Sequence, residues 1–345
     1  MKILIVSSSD IEGGAARAAY RLHRSLIFQG LEVDMLVQSR DSDDYTVHGP
    51  ASKVQKVISR LRPFLDSLPV RSYKKRTATL FSPAWVPFGG VVDRINRLNP
   101  DVVHLHWIAG GMLRIEDLVR IEAPIIWSLH DMWPFTGGCH YDEECGEFKQ
   151  SCGNCPVLQS RKDNDLSRSV FLRKVRSFNK KKNITVVGVS QWLANEAALS
   201  VAFSGHRVVS LPNPIDTKVF APFDRAQARY LLNLPCDSKL VLFGAMNATS
   251  DPRKGFEELS QALNGLPDDI ELVVFGSGRP LAGGSFKQRS HFLGRLHDDV
   301  ALRLLYSAVD VMVVPSKQEA FGQTASESMA CGTPVVAYAT TGLWI

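Results

Sequence analysis

Short runs of consecutive apolar residues, separated by segments of helical periodicity, recur along the whole chain and constrain its fold more than any other feature. Apolar strands that lack polar alternation are buried on both faces, which is typical of a parallel sheet covered by helices. The pattern therefore predicts an α/β protein. The candidate strands are residues 2–9, 32–40, 102–108, 124–131, 185–190, 207–213, 240–246, 270–278, 290–296, 310–316 and 334–340.

A segment rich in proline and polar residues, 212–224, divides these strands into two sets. Because the strands are too many for one small sheet, we predict two doubly wound Rossmann-like domains, residues 1–213 and 214–345. The first domain contains a cysteine-rich loop at residues 137–156. Ligands bind such sheets at the carboxyl ends of the strands. Two domains of this kind that face each other would enclose a cleft.

The composition indicates a globular and not a disordered protein, since 45% of the 345 residues are hydrophobic and 22% are charged. The formal net charge of +5 allows an anionic substrate or a membrane surface as partner, and it does not demand a nucleic acid. No apolar run reaches the roughly 18 residues of a membrane span. The first apolar run is too short for a signal peptide. We therefore predict a cytoplasmic protein.

Two basic segments, residues 53–76 and 167–183, interleave Lys and Arg with apolar residues. One interpretation is a pair of solvated helix faces. The other is contact with anionic lipid headgroups, which would place the protein at the inner face of the membrane.

The stretch "EAFGQTASE" places Glu319 and Glu327 eight residues apart, around the start of a predicted helix near Phe321 or Gly322. The free N–H groups at the start of a helix form an anion site. A carboxylate beside that site would repel a phosphate, but it can accept hydrogen bonds from sugar hydroxyls. One interpretation is a ligand with a phosphate between two hydroxyl-bearing groups. The other is a carboxylate at a helix start together with a solvated glutamate.

The stretch "DPRKG" places Arg253 and Lys254 where a strand gives way to a helix, with Gly255 allowing a close backbone approach. An Arg fork and a Lys point charge together suit a diphosphate. Positive charge at a helix start opposes the helix dipole unless an anion is bound. We therefore predict phosphate binding at this turn.

In the first domain, "DIEGGAAR" places Gly13 and Gly14 in a turn between a strand and a helix. This is not the G-x-G-x-x-G pattern, so a dinucleotide cofactor is not indicated. His130 ends the strand "PIIWSLHD" and is a candidate functional residue. His104 and His106 share one face of their strand, and we interpret them as structural.

The loop "GGCHYDEECGEFKQSCGNCP" contains Cys139, Cys145, Cys152 and Cys155. A C-x2-C pair with two further thiols nearby fits a closed tetrahedral zinc site. We predict a structural zinc ion there, with His140 as a substitute ligand. The alternative is four unlinked or oxidised thiols.

The motifs "EGGAAR", "SLHD", "VSQWL", "LPNPID", "DPRKG" and "EAFGQTASESMACGTPVVA" occur in this order along the chain. In sequence and spacing they resemble the retaining nucleotide-sugar glycosyltransferases of family 4. The resemblance implies the two-domain GT-B fold and the transfer of a hexose from a nucleoside diphosphate sugar, with retention and without a catalytic metal ion. It also implies a glycan or lipid-linked acceptor in polysaccharide biosynthesis.

The resemblance carries catalytic roles to four residues. Arg253 and Lys254 would neutralise the departing diphosphate. Glu319 would hold hydroxyls of the donor sugar, and His130 would face that sugar from the first domain.

The resemblance also carries binding roles to five residues. Gly13 and Gly14 would lie near the diphosphate and the reacting sugar. The backbone of Phe321 and Gly322 would lie near the donor sugar, and Glu327 would bind the ribose.

Family members continue past a "TTG" segment with a further strand and helices. We therefore expect this chain to be C-terminally truncated, with the second domain incomplete. One alternative function is a GT-B-fold nucleotide-sugar epimerase. A second is a non-catalytic, zinc-stabilised scaffold or nucleic-acid-binding protein. A nucleic-acid-binding protein would have a pI above about 9 and a concentrated basic stripe. The pI of about 8.9 and the scattered charge favour a protein without a nucleic-acid partner.

Overall fold

A computed structural model describes residues 1–87, 90–244, 251–276, 287–296 and 298–343. The chain forms two compact units, Met1–Asn213 and Pro214–Ile345. Residues 245–246 and 277–278 of two predicted strands lie outside the described residues, as do residues 344–345.

The first unit contains a seven-stranded sheet and five α-helices among its described residues. The strands are β1 (Lys2–Ser9), β2 (Glu32–Ser39), β3 (Val47–His48), β4 (Val102–Leu105), β5 (Ile125–Leu129), β6 (Ile184–Gly188) and β7 (Arg207–Ser210). The helices are α1 (Gly14–Phe28), α2 (Lys53–Ser67), α3 (Val91–Leu98), α4 (Leu166–Lys180) and α5 (Gln191–Leu199). The strand order is β3-β2-β1-β4-β5-β6-β7, and all neighbours are parallel.

The second unit contains a smaller sheet of the same kind. Its elements are α6 (Arg225–Leu231), β8 (Lys239–Gly244), α7 (Phe256–Leu263), β9 (Ile270–Phe275), β10 (Ser290–Phe292), α8 (Asp299–Ala308), β11 (Val311–Val314), α9 (Gln323–Ala330) and β12 (Val335–Ala337). The five strands are parallel, in the order β10-β9-β8-β11-β12. Short 3₁₀ segments lie at Leu68–Ser72, Ile115–Arg120, Trp133–Phe135, Glu147–Lys149, Val201–Phe203, Pro252–Lys254 and Thr341–Leu343.

These two sheets confirm the predicted α/β class and the parallel arrangement. Strand β1 shows why the apolar runs were informative. Ile3 and Ile5 pack with Ala19 of α1 in one cluster, while Leu4 and Val6 alternate to the opposite face and are also fully buried. Each such side chain contributes roughly 1.5–3 kcal/mol on burial. The two-residue strand β3 was not predicted.

The parallel register brings strand-to-helix turns together at one edge of each sheet. In the first unit β1 pairs with β2 and β4, and in the second unit β8 pairs with β11. The turns that carry the candidate functional residues follow β1, β5, β8 and β11. Throughout the described ranges, no helix has the length and apolar character needed to cross a bilayer.

Candidate active site

The turn after β8 meets the loop after β11 through a charged pair. Lys254 Nζ donates to Oε1 of Glu319 at 2.5 Å, and the hydroxyl of Ser316 donates to the same oxygen at 2.9 Å. The Lys254 and Glu319 side chains are only 17% and 16% exposed. Two residues predicted from separate motifs therefore lie side by side at the carboxyl edge of the second sheet.

Gly255 makes this meeting sterically feasible. Its φ is +70°, and a Cβ atom at this position would lie 2.0 Å from the carbonyl oxygen of Pro315. The N–H of Lys317 donates to the carbonyl oxygen of Arg253 at 2.8 Å, so the two loops are joined through their backbones. Any side chain at residue 255 would push them apart.

Asp251 orients the guanidinium of Arg253. Its Oδ2 accepts from Arg253 Nη2 at 2.6 Å, and its Oδ1 accepts from the backbone N–H of Arg253 at 3.0 Å. Arg253 and Lys254 thus leave the same turn, one anchored by Asp251 and the other by Glu319. The arrangement places two cationic groups beside one carboxylate-lined loop.

Glu327 lies inside the second unit on α9, which begins one residue after Gly322. Glu327 is 3% exposed, and its Oε2 accepts from the hydroxyl of Tyr306 at 2.7 Å. Phe321 is half-buried and lies two residues before the first residue of this helix. The sequence analysis did not single out Tyr306, since a tyrosine within an apolar helix does not reveal where its hydroxyl points.

In the first unit, the turn after β1 is fixed by hydrogen bonds of its own. The hydroxyl oxygen of Ser9 accepts from the N–H of Glu12 at 3.0 Å. Asp10 is fully buried and accepts from the backbone N–H of Ser42 at 2.9 Å. Gly13 follows with a φ of 94°, and α1 begins at Gly14. Both glycines therefore lie at the carboxyl edge of the first sheet.

His130 lies directly after β5, and its Nε2 is 2.8 Å from Nδ1 of His106. The two rings are stacked with centroids 5.1 Å apart. Burial lowers the pKa of His130 to about 4, against an opposing effect of Asp131. Burial also lowers the pKa of His106 well below its ordinary value, with His104 and His130 contributing. Both imidazoles are therefore neutral at pH 7.

His106 contacts His130, the candidate functional residue. The interpretation of His106 as only structural therefore has to be qualified. The pairing of β4 with β5 brings the two rings together, and the spacing of the two histidines along the chain does not indicate this contact. His104 is bonded through Nε2 to the hydroxyl of Ser128 at 2.8 Å.

The carboxylate of Asp131 forms hydrogen bonds with residues other than His130. Its Oδ2 accepts from Trp107 Nε1 at 2.8 Å and lies 2.7 Å from Nδ1 of His140. Burial acts to raise the pKa of Asp131, but His140 and the donated hydrogen bonds outweigh it and hold the pKa below its ordinary value. His140 Nε2 also lies 2.9 Å from the hydroxyl of Ser82. Asp131 and His140 thus anchor the loop that follows β5.

The four cysteines of this loop are free thiols, and three of them, Cys139, Cys152 and Cys155, are buried. Burial raises the pKa of Cys152 to about 12 and that of Cys155 to about 11. It also raises the pKa of Cys139 and of Cys145. Across the described part of the chain, no group of three or more His, Cys, Asp or Glu is placed to hold a metal ion. The predicted zinc site is therefore not supported.

A buried lysine stabilises the loop after β5. Lys174 of α4 is 0% exposed; its Nζ donates to the carbonyl oxygens of Trp133 and, at 3.0 Å, Thr136. The ammonium also lies 4.2 Å from the centre of the Trp133 ring. Burial lowers the pKa of Lys174 to about 7. The second basic segment is thus only partly solvated, which the sequence alone did not reveal.

Comparison with protein families gives two matches that together span most of the chain. The model described as "Glycosyltransferase Family 4" matches residues 12–219. The model described as "Glycosyl transferases group 1" matches residues 237–344.

Three curated proteins illustrate the similarity. A D-inositol 3-phosphate glycosyltransferase of Xylanimonas cellulosilytica is 40% identical over 153 residues, covering 40% of this chain and 36% of its own length. Another, of Acidothermus cellulolyticus, is 33% identical over 359 residues, covering 96% of this chain and 71% of its own length. The putative colanic acid biosynthesis glycosyl transferase WcaC of Escherichia coli is 23% identical, with coverages of 98% and 83%.

Two solved structures show the same fold over the whole chain. Sucrose-phosphate synthase from Thermosynechococcus elongatus superposes with a TM-score of 0.61 at 20% identity, covering 100% of this chain and 82% of its own. HepE from Anabaena, in complex with UDP-glucose, superposes with a TM-score of 0.57 at 17% identity, with coverages of 99% and 81%.

Proposed function

The chain belongs to glycosyltransferase family 4, a retaining family with the GT-B fold that uses nucleotide sugars. We propose that its acceptor is a glycan or a lipid-linked acceptor in polysaccharide biosynthesis. The observation that carries the assignment of a site is the contact between Lys254 and Glu319. It joins a cationic turn to a carboxylate loop at the sheet edge where nucleotides bind doubly wound folds.

The proposed division of labour follows from the charges that develop during transfer. Cleavage of the anomeric bond places negative charge on the leaving diphosphate, which Arg253, Lys254 and the N-terminus of α9 would stabilise. Glu319 would hold donor hydroxyls together with the backbone at Phe321 and Gly322. We do not assign Glu319 and Glu327 as the acid and the nucleophile of a glycoside hydrolase, because that pair of carboxylates flanks the scissile bond at a set separation.

In the second unit, Glu327 would accept hydrogen bonds from the ribose. Its carboxylate is held by the hydroxyl of Tyr306, so the side chain is oriented before the nucleotide binds. A hydrogen-bond acceptor that is already in place suits the ribose, because this part of the nucleotide sugar does not change during the reaction.

In the first unit, we assign contact with the donor sugar to His130 and the backbone of Gly13 and Gly14. A neutral imidazole offers one donor and one acceptor nitrogen. Because Nε2 of His130 lies against His106, its Nδ1 is the atom assigned to the sugar. No metal ion takes part in the proposed chemistry.

A UDP-hexose is the proposed donor, because HepE was solved with UDP-glucose. The proposed acceptor class is supported by the similarity to WcaC, a putative colanic acid biosynthesis glycosyl transferase; the similarity to D-inositol 3-phosphate glycosyltransferases makes a soluble sugar phosphate the acceptor to compare it with. The base and the sugar are the first variables to test.

Peripheral contact with an anionic membrane at its cytoplasmic face is part of the proposal. It is supported by α2, whose apolar residues at three- and four-residue spacing form an exposed row on one face. We call this the α2 row: Val54, Val57, Leu61 and Phe64, each 49–67% exposed. Basic residues Lys53, Lys56 and Arg60 accompany the row on the same helix.

The test is a panel of nucleoside diphosphate sugars, with binding measured by calorimetry and products analysed by NMR. We expect a UDP-hexose to bind and to be consumed with retained anomeric configuration. The double variant Arg253→Ala/Lys254→Ala should lose this activity. A nucleotide sugar returned with an inverted carbon and no sugar transferred would support the epimerase alternative instead.

A further inference from the structure

A small cavity lies in the first unit between β2, α2 and the start of α3. Its volume is about 40 Å³, and its polar lining consists of Gln38, Gln55, Ser59, Arg62 and Arg94. One buried water needs roughly 10–15 Å³, so the cavity has room for a group the size of a few waters. A phosphate or carboxylate group is of this size.

Arg62 is the most unusual member of this lining. It is 4% exposed, and its Nη1 donates to Oε1 of Gln38 at 3.3 Å. Its Nε is buried and has no hydrogen-bond partner within the described ranges. A buried guanidinium without a carboxylate is costly unless an anion accompanies it.

Arg94 places a second guanidinium at the same cavity. Its Nη2 donates to the carbonyl oxygen of Gly49 at 3.1 Å, which is a neutral partner. Burial lowers the pKa of Arg62, and the charge of Arg94 lowers it further. The charge of Asp117 acts on Arg62 in the opposite direction, but that carboxylate forms ion pairs with Arg114 and Arg120.

The cavity is built from rigid parts. Nε2 of Gln38 donates to the carbonyl oxygen of Gly110 at 3.1 Å, which turns Oε1 toward Arg62. A Cβ atom on Gly111 would lie 2.8 Å from the carbonyl oxygen of Arg62, so α2 is held tightly against this loop. The position of the guanidinium is therefore set by the backbone.

The cavity also lies at the functional edge of the first sheet. Gln38 is one residue from the end of β2, and Ser9 of β1, which leads into the Gly13 turn, pairs with Ser39. A group bound here would be one strand away from that turn.

We propose that this cavity binds an oxyanion, a phosphate or carboxylate group, carried by the acceptor. This inference rests on the proposed glycosyltransferase function and adds the chemical class of the acceptor. The two guanidinium groups favour a doubly charged phosphate, with the Arg62 fork and Arg94 as donors.

Inorganic phosphate is the probe for the test. Its affinity is measured by calorimetry at constant ionic strength, with saturating UDP present so that the diphosphate-binding residues are occupied. Wild type and the control Arg97→Gln, an exposed arginine on the same helix as Arg94, should bind equally. Arg62→Gln and Arg94→Gln should each weaken binding by about tenfold or more, as expected for a lost charged hydrogen bond.

Arg94→Gln keeps the test decisive if the buried Arg62→Gln variant does not fold, because Arg94 is only half-buried. Phosphate affinity in folded Arg94→Gln equal to that of Arg97→Gln would overturn the inference. UDP binding in the same samples separates the two proposals. Intact UDP binding without phosphate binding rejects only the cavity, whereas lost UDP binding in wild type rejects the proposed function.

A final comparison identifies the source of the anion. A soluble sugar phosphate that competes with inorganic phosphate indicates a soluble acceptor. Competition only by phosphatidic acid vesicles, and not by neutral vesicles, indicates a lipid headgroup. Failure of both to compete would overturn the assignment of the cavity to the acceptor.

Discussion

Lys254 and Glu319 are 65 residues apart in the sequence, yet Nζ of the lysine lies 2.5 Å from Oε1 of the glutamate. Parallel pairing of β8 with β11 places the two following turns at one sheet edge. Without donor, the ammonium has the carboxylate as its counter-ion. With donor bound, we expect it to face the diphosphate as well, so its charge should matter most when the leaving group separates.

We expect Lys254→Met to lower the rate of UDP-hexose cleavage by about 10²–10³, corresponding to roughly 2.7–4 kcal/mol of lost transition-state stabilisation. Single-turnover cleavage, with folding checked by circular dichroism, measures the effect. Lys317→Met is the matched control, since Lys317 lies in the neighbouring loop and pairs with Glu258 on the surface. Equal losses in both variants would contradict a specific role for Lys254.

We expect Glu319→Gln and Glu327→Gln to differ in their effect on free UDP. Glu327→Gln should weaken UDP binding, because a ribose contact is made equally in ground and transition states. Glu319→Gln should reduce transfer and leave UDP affinity nearly intact. Calorimetry with UDP is the measurement, and Tyr306→Phe, which removes the hydroxyl that holds Glu327, should weaken binding less than Glu327→Gln. The assignment fails if both glutamate variants change UDP affinity equally.

We expect the α2 row to bind anionic vesicles at low salt and to release them at high salt, because screening weakens attraction between basic residues and lipid headgroups. The double variant Leu61→Ser/Phe64→Ser should reduce retention in a sedimentation assay. Leu199→Ser/Leu211→Ser is the control, since both leucines are comparably exposed elsewhere in the first unit. Retention on neutral vesicles as strong as on anionic ones would argue against the proposed membrane surface.

We expect the unfolding free energy of the first unit to rise as pH increases from about 7 to 8.5. Burial lowers the pKa of Lys174 from 10.5 to about 7, so above pH 7 the unfolded chain binds more protons than the folded one. Stability from this group is lost as pH falls from about 10.5 toward 7 and levels off below 7, with a slope of at most about 1.4 kcal/mol per pH unit.

Urea unfolding followed by tryptophan fluorescence tests this dependence, since Trp133 lies beneath the Lys174 ammonium. Lys174→Met should flatten the profile, while Lys180→Met, an exposed lysine on the same helix, should leave it unchanged. The range stops at pH 8.5 because the buried thiols oppose the trend at higher pH. Their raised pKa keeps them protonated in the folded state after unfolded thiols ionise. An unchanged slope in Lys174→Met would contradict the assignment.

Features that depend on local pattern were predictable from the sequence. The run from Ile3 to Val6 is continuously apolar because both faces of β1 are covered, so the parallel sheet could be read directly. Arg253, Lys254 and Glu319 could also be placed together, since their turns follow strands of one sheet. The roles assigned to these residues stay predictions until the variants are measured.

Features that depend on the direction of a side chain were not predictable. Lys174 and Arg62 belong to basic helical segments, and only the packing of α4 and α2 shows that they point inward. The spacing of the cysteines indicates that thiols are close along the chain, but it does not indicate that they converge on one point. His106 meets His130 across two strands, a relationship without any signal in local sequence.

The contact between Gly255 and Pro315 has a consequence for protein engineering. Donor preference in a scaffold of this kind would be altered by randomising the loop that contains Glu319. Because Gly255 has no side chain, the carbonyl oxygen of Pro315 can lie only 2.0 Å from the point where a Cβ atom of residue 255 would be. A combinatorial library should therefore hold residue 255 as glycine and the backbone at residue 315 unchanged. Substitutions at these two positions would disrupt the packing of the turns and would not yield variants with new substrates.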